Sequence, residues 1–354
     1  MSDEQEPWED AWSDDDTTPS KIEAALREML ATRHHESHAF VPARVINLVV
    51  IVDHDFKGEI ENRLQRVGRY HPSRLVLCSV SEGRKTLDAL VQIGTTPSES
   101  GIAIGRERIS LNMGERHLEG LDTIVDPLLV QDLATVVWAP HGHSKGVDAL
   151  RRLAQVVLLD SQDEPTVAGG LARSADLAGN AYIVDLAWLR STPWRERVAA
   201  AFDPPAERSH LRAISSVTVR HREDSLAAAV LFCGWLSSRL GWKPGSLAQA
   251  SGRYTGHARG RRQEVKITLE PTRQEAPGLA GVTIETASGA AVSLDRSHGG
   301  LRSLRRARDG TELAWTVLGA SRGEAGILGE GVRQALLRDP TYRPALNCAR
   351  VFVS

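Results

Sequence analysis

The chain has only three cysteines in 354 residues, and no two of them form a CxxC motif. Zinc sites and small disulfide frameworks need several cysteines at short spacings, so the sequence predicts neither. Cys78 and Cys233 lie inside apolar runs, where cysteine usually behaves as a small buried hydrophobic residue. We therefore expect a protein of a reducing compartment, with no structural disulfide and no metal site.

Long apolar runs are also missing. A helix needs about 20 apolar residues to cross a bilayer, and no stretch of the chain approaches that length. The N-terminus lacks the basic region and the apolar region of a secretion signal. These absences predict a cytoplasmic protein without a membrane partner.

Signatures of catalysis and nucleotide binding are equally scarce. No G-x-G-x-x-G follows the first predicted strand, and neither a Walker A motif nor a G-x-S-x-G elbow occurs. The sequence therefore predicts a protein that is not an enzyme, with no catalytic residue and no cofactor.

Charge is distributed unevenly. The formal net charge is −2, yet the first 20 residues hold eight acidic residues and no basic one, which leaves a basic body. Such a body is compatible with an acidic partner or a phosphate ligand. Low hydrophobicity with high charge is typical of disorder, so we expect residues 1–20 to form an acidic disordered tail. Trp8 and Trp12 could instead form one face of a short docking helix.

A nearly unbroken β-branched and leucine run at residues 45–52 predicts a strand that is buried on both faces. Apolar residues then recur at helical spacing over 56–67, and a second apolar run follows at 75–80. Further strands and helices alternate to about residue 190. The pattern predicts an α/β N-terminal domain with a mostly parallel, doubly wound sheet. With its leading helix and a Trp-rich connecting segment, this domain spans residues 21–205.

Ligands of such domains bind beyond the carboxyl ends of the strands. Six polar residues directly follow three predicted strands and would line this crevice: Asp53, His54, His141, His143, Asp160 and Ser161. One alternative function is therefore a sugar-phosphate-binding enzyme or sensor that uses the crevice.

Residues 206–354 predict a second, α+β domain. A strongly apolar helix spans 226–240, strand-like segments follow at 264–269, 282–286 and 290–294, and a last apolar helix starts near Ile327. This pattern favours an antiparallel sheet with helices on one face.

Arginines cluster in a glycine-rich segment of the second domain, which we interpret as a loop. Four of them are candidates for contact with a phosphate or an acidic surface: Arg253, Arg259, Arg261 and Arg262. A second cluster contains Arg302, Arg305, Arg306 and Arg308. A nucleic-acid-binding module is therefore a second alternative, although interleaved aromatic residues are nearly absent.

Three stretches resemble one family. They are Arg44-Val45-Ile46-Asn47-Leu48-Val49 with His71-Pro72-Ser73-Arg74, the run from Asp185 to Arg195, and the run from Gly234 to Trp242. All three resemble the glucose-6-phosphate dehydrogenase assembly proteins known as OpcA. The resemblance implies a non-catalytic assembly factor that binds glucose-6-phosphate dehydrogenase and promotes its active form. It would thereby support the oxidative pentose phosphate pathway and the supply of NADPH.

The second of these stretches, DLAWLRSTPWR, combines two tryptophans with two arginines. Trp and Arg are the residues that most often dominate the binding energy of interfaces. We therefore predict partner contacts at Trp188, Arg190, Trp194 and Arg195. Packing in the core is the competing interpretation for the two tryptophans.

Overall fold

The computed structural model describes residues 8–36, 44–68, 72–97, 103–261, 263–298, 300–318 and 324–354. The chain forms two compact units, Met1–Leu159 with Asn180–Ile183, and Asp160–Gly179 with Val184–Ser354. This division differs from the expected boundary at 205/206. The helix at 167–177 packs against helices 226–240 and 342–352, which places it in the second unit.

The first unit is built around one sheet. The strands of this sheet are β1 (Asp10–Asp14), β2 (Ile46–Asp53), β3 (Ser73–Ser81), β4 (Asp88–Pro97), β5 (Ala103–Gly114), β6 (Thr135–Trp138), β7 (Val156–Leu159) and β8 (Tyr182–Asp185). Of β8, only Tyr182 and Ile183 belong to the first unit. Its α-helices are α1 (Pro19–Glu36), α2 (Lys57–Gly68), α3 (Leu121–Val125) and α4 (Ser144–Ala149). Short 3-10 turns join several of them.

Among the described residues, the strand order is β1-β4-β5-β3-β2-β6-β7-β8. Strand β2 is parallel to β3 and β6, β3 is parallel to β5, and β6 is parallel to β7. Strands β1 and β4 are antiparallel additions at one edge. The expected mostly parallel, doubly wound sheet is confirmed, and its topological switch point lies between β2 and β6.

The acidic N-terminal segment is ordered over residues 8–20, contrary to the expected disorder. Strand β1 pairs with β4, so that Trp12 lies opposite Val91 on a strand rather than on a helix face. Arg33 of α1 lies 2.6 Å from Glu9 and 2.5 Å from Asp10, and these contacts give the acidic residues a partner. Residues 1–7 lie outside the described residues.

The second unit contains a larger sheet. Its strands are β9 (Ile214–Arg222), β10 (Lys243–Pro244), β11 (Ala248–Ala250), β12 (Arg253–Arg259), β13 (Glu264–Thr272), β14 (Leu279–Thr286), β15 (Ala291–Ser297), β16 (Gly300–Arg306) and β17 (Glu312–Leu318). Its α-helices are α5 (Val167–Leu177), α6 (Leu186–Arg190), α7 (Thr192–Phe202), α8 (Pro205–Arg208), α9 (Leu226–Leu240), α10 (Glu324–Leu337) and α11 (Tyr342–Phe352).

In the part of the chain that the structure describes, the order of this sheet is β10-β12-β13-β9-β14-β15-β16-β17, with β11 paired to β12. The α+β class is confirmed, but the sheet is mixed, because β9 and β13 are parallel. Helix α9 lies between these two strands in sequence and packs on both of them. A parallel pair needs such a crossover, and the sequence pattern alone did not reveal it.

Two glycines fix the position of α9. A Cβ on Gly234 would lie 2.3 Å from the carbonyl oxygen of Ala345, so the glycine lets α9 and α11 approach closely. Gly241 ends α9 with φ at 66°, the left-handed conformation that glycine adopts most readily. None of the described helices is both long and apolar enough to span a bilayer.

Candidate functional site

The segment from Asp185 to Arg195 forms the interior of the second unit. Asp185 caps α6 by accepting the N–H of Ala187 at 3.0 Å, and it also accepts the N–H of Ser161 at 3.1 Å. The Tyr342 hydroxyl donates to its other oxygen at 2.9 Å. The carboxyl is completely buried, and this burial, together with the charge of Asp160, raises its pKa to about 6.

Trp188 and Arg195 pack against each other in the same region. The Arg195 guanidinium lies 3.3 Å above the centre of the Trp188 ring and donates to the Trp188 carbonyl oxygen at 3.3 Å. The Trp188 indole donates to Asp339 at 2.9 Å, and Arg195 lies 3.6 Å from the same carboxylate. Burial lowers the pKa of Arg195 to about 10.

The expected partner-binding residues therefore offer almost no surface. Trp188, Trp194 and Arg195 are 2%, 1% and 8% exposed, and Arg190 is held by Asp160 at 2.5 Å. Helix α6 places Trp188 in the interior and helix α7 does the same for Trp194 and Arg195, so the prediction of exposed anchors needs correction. Composition alone could not separate an interface from a core that contains Trp and Arg.

The expected crevice residues fall into two groups. Asp160 and Ser161 belong to the second unit, where they bind Arg190 and Asp185. The other four lie in the first unit, at the carboxyl ends of β2 and β6. A site within the first unit therefore contains Asp53, His54, His141 and His143.

In the first unit, Asp53 and His143 lie close together at the switch point. The Nε2 atom of His143 lies 2.8 Å from an Asp53 carboxylate oxygen. His143 has φ at 46° and follows Gly142 with φ at 87°, so this turn is left-handed at two successive residues. A non-glycine residue in this conformation is uncommon and is often found at functional sites.

Two further contacts surround this pair. His54 lies 3.0 Å from the Ser79 hydroxyl, and the ring of Phe56 is 4.6 Å from that of His141. Phe56 is 47% exposed, whereas the Nδ1 atom of His141 is buried and, among the described residues, has no hydrogen-bond partner. Burial lowers the pKa of His141, although the nearby Asp53 charge opposes this effect.

The residues at the switch point favour some classes of ligand over others. In dinucleotide-binding domains the phosphates lie at the N-terminus of the helix that follows the first parallel strand. Here that position carries Asp53 and Asp55, whose negative charges disfavour a phosphate. An exposed aromatic ring with carboxylate and imidazole groups suits the C–H faces and hydroxyls of a sugar. No group of three or more His, Cys, Asp or Glu residues in the described ranges is arranged to hold a metal ion.

The arginine-rich segment, which was predicted to form a loop, instead forms strand β12 over most of its length. Arg253 and Arg259 stand at the two ends of β12, roughly 20 Å apart, and Arg253 lies 3.7 Å from Glu270. Arg261 is exposed beyond the strand, and Arg262 lies outside the described residues. The charges are spread along the strand and partly paired, so they do not form one concentrated anion site.

The second unit contains a cavity that the sequence patterns did not predict. It measures about 70 Å³ and lies where α7 and α8 cover the large sheet. Its lining combines apolar residues with cations, and includes Phe202, His210, Ile284, Val292, Arg305 and Arg308. Arg305 is tied to Glu207 at 3.2 Å. These residues are distant in sequence, so only the fold brings them together.

Two family models match the chain, one after the other. Residues 64–176 match the family model described as glucose-6-phosphate dehydrogenase subunit N-terminal domain, and residues 181–346 match its C-terminal domain. The chain belongs to the OpcA family. The resemblance noted in the sequence is thereby confirmed.

Curated OpcA proteins show the same relationship. Each relative is named putative OxPP cycle protein OpcA. The chain is 27% identical to that of Synechococcus elongatus over 66% of its own length, and 26% identical to that of Synechocystis over 86%. It is 31% identical to that of Nostoc punctiforme over 50% of its length. The aligned regions span 52%, 64% and 38% of these relatives, so the chain covers less than two thirds of each.

Among solved structures, a dehydrogenase from Chromobacterium violaceum aligns with 86% of the chain and with 93% of its own length. The identity is 12% and the TM-score 0.44. A super-repressor mutant of Gal80p from Saccharomyces cerevisiae aligns with 86% of the chain and with 94% of its own length, at 8% identity and a TM-score of 0.49.

The first OpcA-like stretch proves to be a buried polar network. Arg44 and Arg74 both bind Glu107, which is 3% exposed, at 2.7 and 2.8 Å. Asn47 donates to the Val130 carbonyl oxygen at 2.9 Å and accepts its N–H at 3.0 Å. These residues tie β2, β3 and β5 to the chain before β6. The start of the neighbouring turn, His71, lies outside the described residues.

Proposed function

We propose that this protein is a non-catalytic partner of glucose-6-phosphate dehydrogenase that promotes the active form of that enzyme. One observation carries the proposal: two family models that are described as parts of a subunit of this dehydrogenase match the chain in order, over 64–176 and 181–346. The relatives' name supports a place in the oxidative pentose phosphate pathway and a role in NADPH supply.

The switch point of the first sheet supports a role without catalysis. A hydride-transferring enzyme would need a cradle for the phosphates of its nicotinamide cofactor. The turn after β2 carries Asp53 and Asp55 in the place of a glycine-rich loop. Carboxylates at this position repel a pyrophosphate, so the chain would act by binding rather than by turnover.

Activation also sets a thermodynamic requirement. A partner shifts an equilibrium only by the difference between its affinities for the two states. The chain must therefore bind the active dehydrogenase more tightly than it binds the inactive form.

The test combines mass with turnover. The purified full chain is mixed with the dehydrogenase of the same organism, and the mass of the mixture is compared with that of each component. We expect a complex, a higher rate of NADP reduction in the mixture, and no reduction by the chain alone. Separate masses with an unchanged rate would contradict the proposal, and turnover by the chain alone would contradict its non-catalytic character.

The crevice supports a second candidate, the sensing of a sugar. Exposed Phe56 lies beside His141, whose buried Nδ1 atom has no hydrogen-bond partner in the described ranges. Glucose 6-phosphate, free glucose and NADP are each added in a melting experiment on the full chain. A rise in melting temperature that Phe56→Ala removes would support sensing, whereas no shift with any of the three would eliminate it.

A further inference from the structure

Strand β17 leaves two large apolar side chains uncovered. Leu313 is 61% exposed and Trp315 is 37% exposed, although both belong to a regular strand. The strand ends the nine-stranded sheet, and within the described residues it pairs only with β16. One backbone edge of β17 is therefore open beside an apolar stripe.

The exposure results from where the helical layer ends. Leu313 lies opposite Arg305, and Trp315 lies opposite Ser303, which is only 2% exposed. Residues opposite each other on antiparallel strands point to the same face. Arg305 still reaches α7 and α8 through Ala201 and Glu207. The helices therefore cover this face as far as β16 and leave it bare at β17.

Other sheet edges of the chain carry protection against pairing. At the opposite end of the same sheet, β10 has only two residues, Lys243 and Pro244. At one end of the first sheet, β1 carries Asp10 and Asp14. Short strands, proline and charge are the usual devices that keep an edge from binding another strand. Strand β17 has seven residues, no proline and one charge, that of Glu312.

We propose that β17 pairs in antiparallel fashion with β17 of a second copy of this chain. A two-fold axis through Trp315 sets the register. It places the two Trp315 side chains opposite each other and Leu313 opposite Val317 of the second copy. The apolar stripe then continues across the axis, and cross-strand aromatic and aliphatic pairs stabilise a sheet. The helix-covered faces of both sheets remain on the same side.

The charge pattern of β17 suits a second copy of the same strand. In this register the single acidic residue, Glu312, falls opposite position 318, so no like charges meet. A strand that is apolar at its centre and charged only at one end is complementary to itself when reversed. The pairing would create one continuous sheet from two copies, and it concerns a property separate from the proposed action on the dehydrogenase.

The first test is the mass of the full chain in solution. Sedimentation velocity over a wide concentration range should show a monomer that converts to a dimer. Trp315→Lys places two cations at the axis and should leave only monomer. The matched control is Leu337→Lys, which changes an exposed leucine of α10, 60% exposed, and should keep the dimer. Circular dichroism verifies that both variants are folded.

The second test measures the register. In a Cys348→Ser background, Leu313→Cys is mixed with Val317→Cys under mild oxidation. Directly opposite Cβ atoms are about 4.5–5.5 Å apart, so the mixture should form a disulfide-linked dimer. Leu313→Cys alone should not form this dimer. Position 313 of the second copy lies four residues along the strand from the point opposite position 313 of the first, a distance of roughly 13 Å. The two native cysteines at 78 and 233 are buried.

Two results would overturn the proposal, and a special case of the first would assign the edge to another partner. The wild-type chain could remain monomeric at every concentration, or Trp315→Lys could dimerise as the wild type does. Alternatively, a monomeric wild type could bind the dehydrogenase and lose that binding in Trp315→Lys, which would assign the edge to the dehydrogenase. In that last case the proposed function would stand while self-pairing would fail.

Discussion

The indole Nε1 of Trp188 donates a hydrogen bond to Oδ2 of Asp339 at 2.9 Å, across 151 positions of sequence. Arg195 stacks on the same indole and approaches the same carboxylate at 3.6 Å. The three side chains tie α6 and α7 to the turn between α10 and α11. The stretch that most resembles the OpcA family therefore has a structural role in this unit.

Asp339→Asn tests this role. The change keeps the shape of the side chain but removes the charge that faces buried Arg195. Because hydrogen bonds to charged groups contribute about 1.5–3 kcal/mol, and Asp339 is only half-buried, we expect a loss of about 1–3 kcal/mol in the free energy of unfolding. Urea denaturation at neutral pH measures it. Asp309→Asn, in an exposed turn, is the control, and equal losses in both variants would contradict a specific contribution of Asp339.

Much of the first unit could be predicted from its apolar runs. The uninterrupted run that became β2 is buried along nearly its whole length, as a strand covered on both faces must be. The rule that ligand crevices lie at the carboxyl ends of strands also predicts that Asp53 and His143 lie near each other, and they are 2.8 Å apart. Both predictions rest on local pattern and on parallel topology, which the sequence carries directly.

Long-range pairing could not be predicted in the same way. Strand β1 depends on backbone hydrogen bonds to β4, about 80 residues away, and its acidic composition favours disorder. In β16 the arginines at 302, 305 and 306 hid the alternation that places Leu301 and Ser303 inside. Likewise α5 belongs to the second unit because of what it packs against. Each case depends on a partner element that is distant in sequence.

Asp185 should make stability depend on pH. Its pKa in the folded protein is about 6, above the ordinary value of 3.8 for an aspartate, so the folded state binds the proton more tightly. That binding stabilises the fold below pH 4 and is lost as the pH rises through 6. The wild-type free energy of unfolding, measured against that of Asp185→Asn, should therefore fall by about 2 kcal/mol between pH 4 and pH 7.

Denaturation of both proteins across this range measures the difference. Tyr342→Phe removes a hydrogen-bond donor that lowers the pKa of Asp185, so it should move the decline to higher pH. A difference between wild type and Asp185→Asn that stays constant from pH 4 to pH 7 would show that this carboxyl does not bind the proton more tightly in the folded state.

Glu107 should contribute strongly to the first unit. It is 3% exposed and is the shared partner of Arg44 and Arg74, and burial lowers the pKa of Arg74. Glu107→Gln would leave two guanidinium groups without a carboxylate. Removing one member of a buried ion pair costs about 3–5 kcal/mol, and we expect a loss of that size.

The matched control for Glu107 is Glu59→Gln. Glu59 forms an exposed ion pair with Arg63 one helical turn away, and such pairs contribute about 0.3–0.5 kcal/mol. Thermal and urea unfolding of both variants separates the two environments. Comparable small losses would mean that the buried network adds little to stability, and the OpcA-like arginines would then need another explanation.

Gly234 permits the closest helix contact in the third OpcA-like stretch. A Cβ at this position would lie 2.3 Å from the Ala345 carbonyl oxygen and 2.9 Å from the Ala349 nitrogen, both backbone atoms that cannot rotate away. Gly234→Ala must push α9 and α11 apart, and overpacking of this kind costs about 1–3 kcal/mol. The intrinsic preference of helices for alanine, about 1 kcal/mol, opposes only part of this loss.

Gly329→Ala is the matched control, since Gly329 also lies within a helix but has no atom within 4 Å of its added Cβ. We expect the control to raise the free energy of unfolding while Gly234→Ala lowers it. If both substitutions stabilised the protein, the close approach of α9 and α11 at Gly234 would not exist in solution.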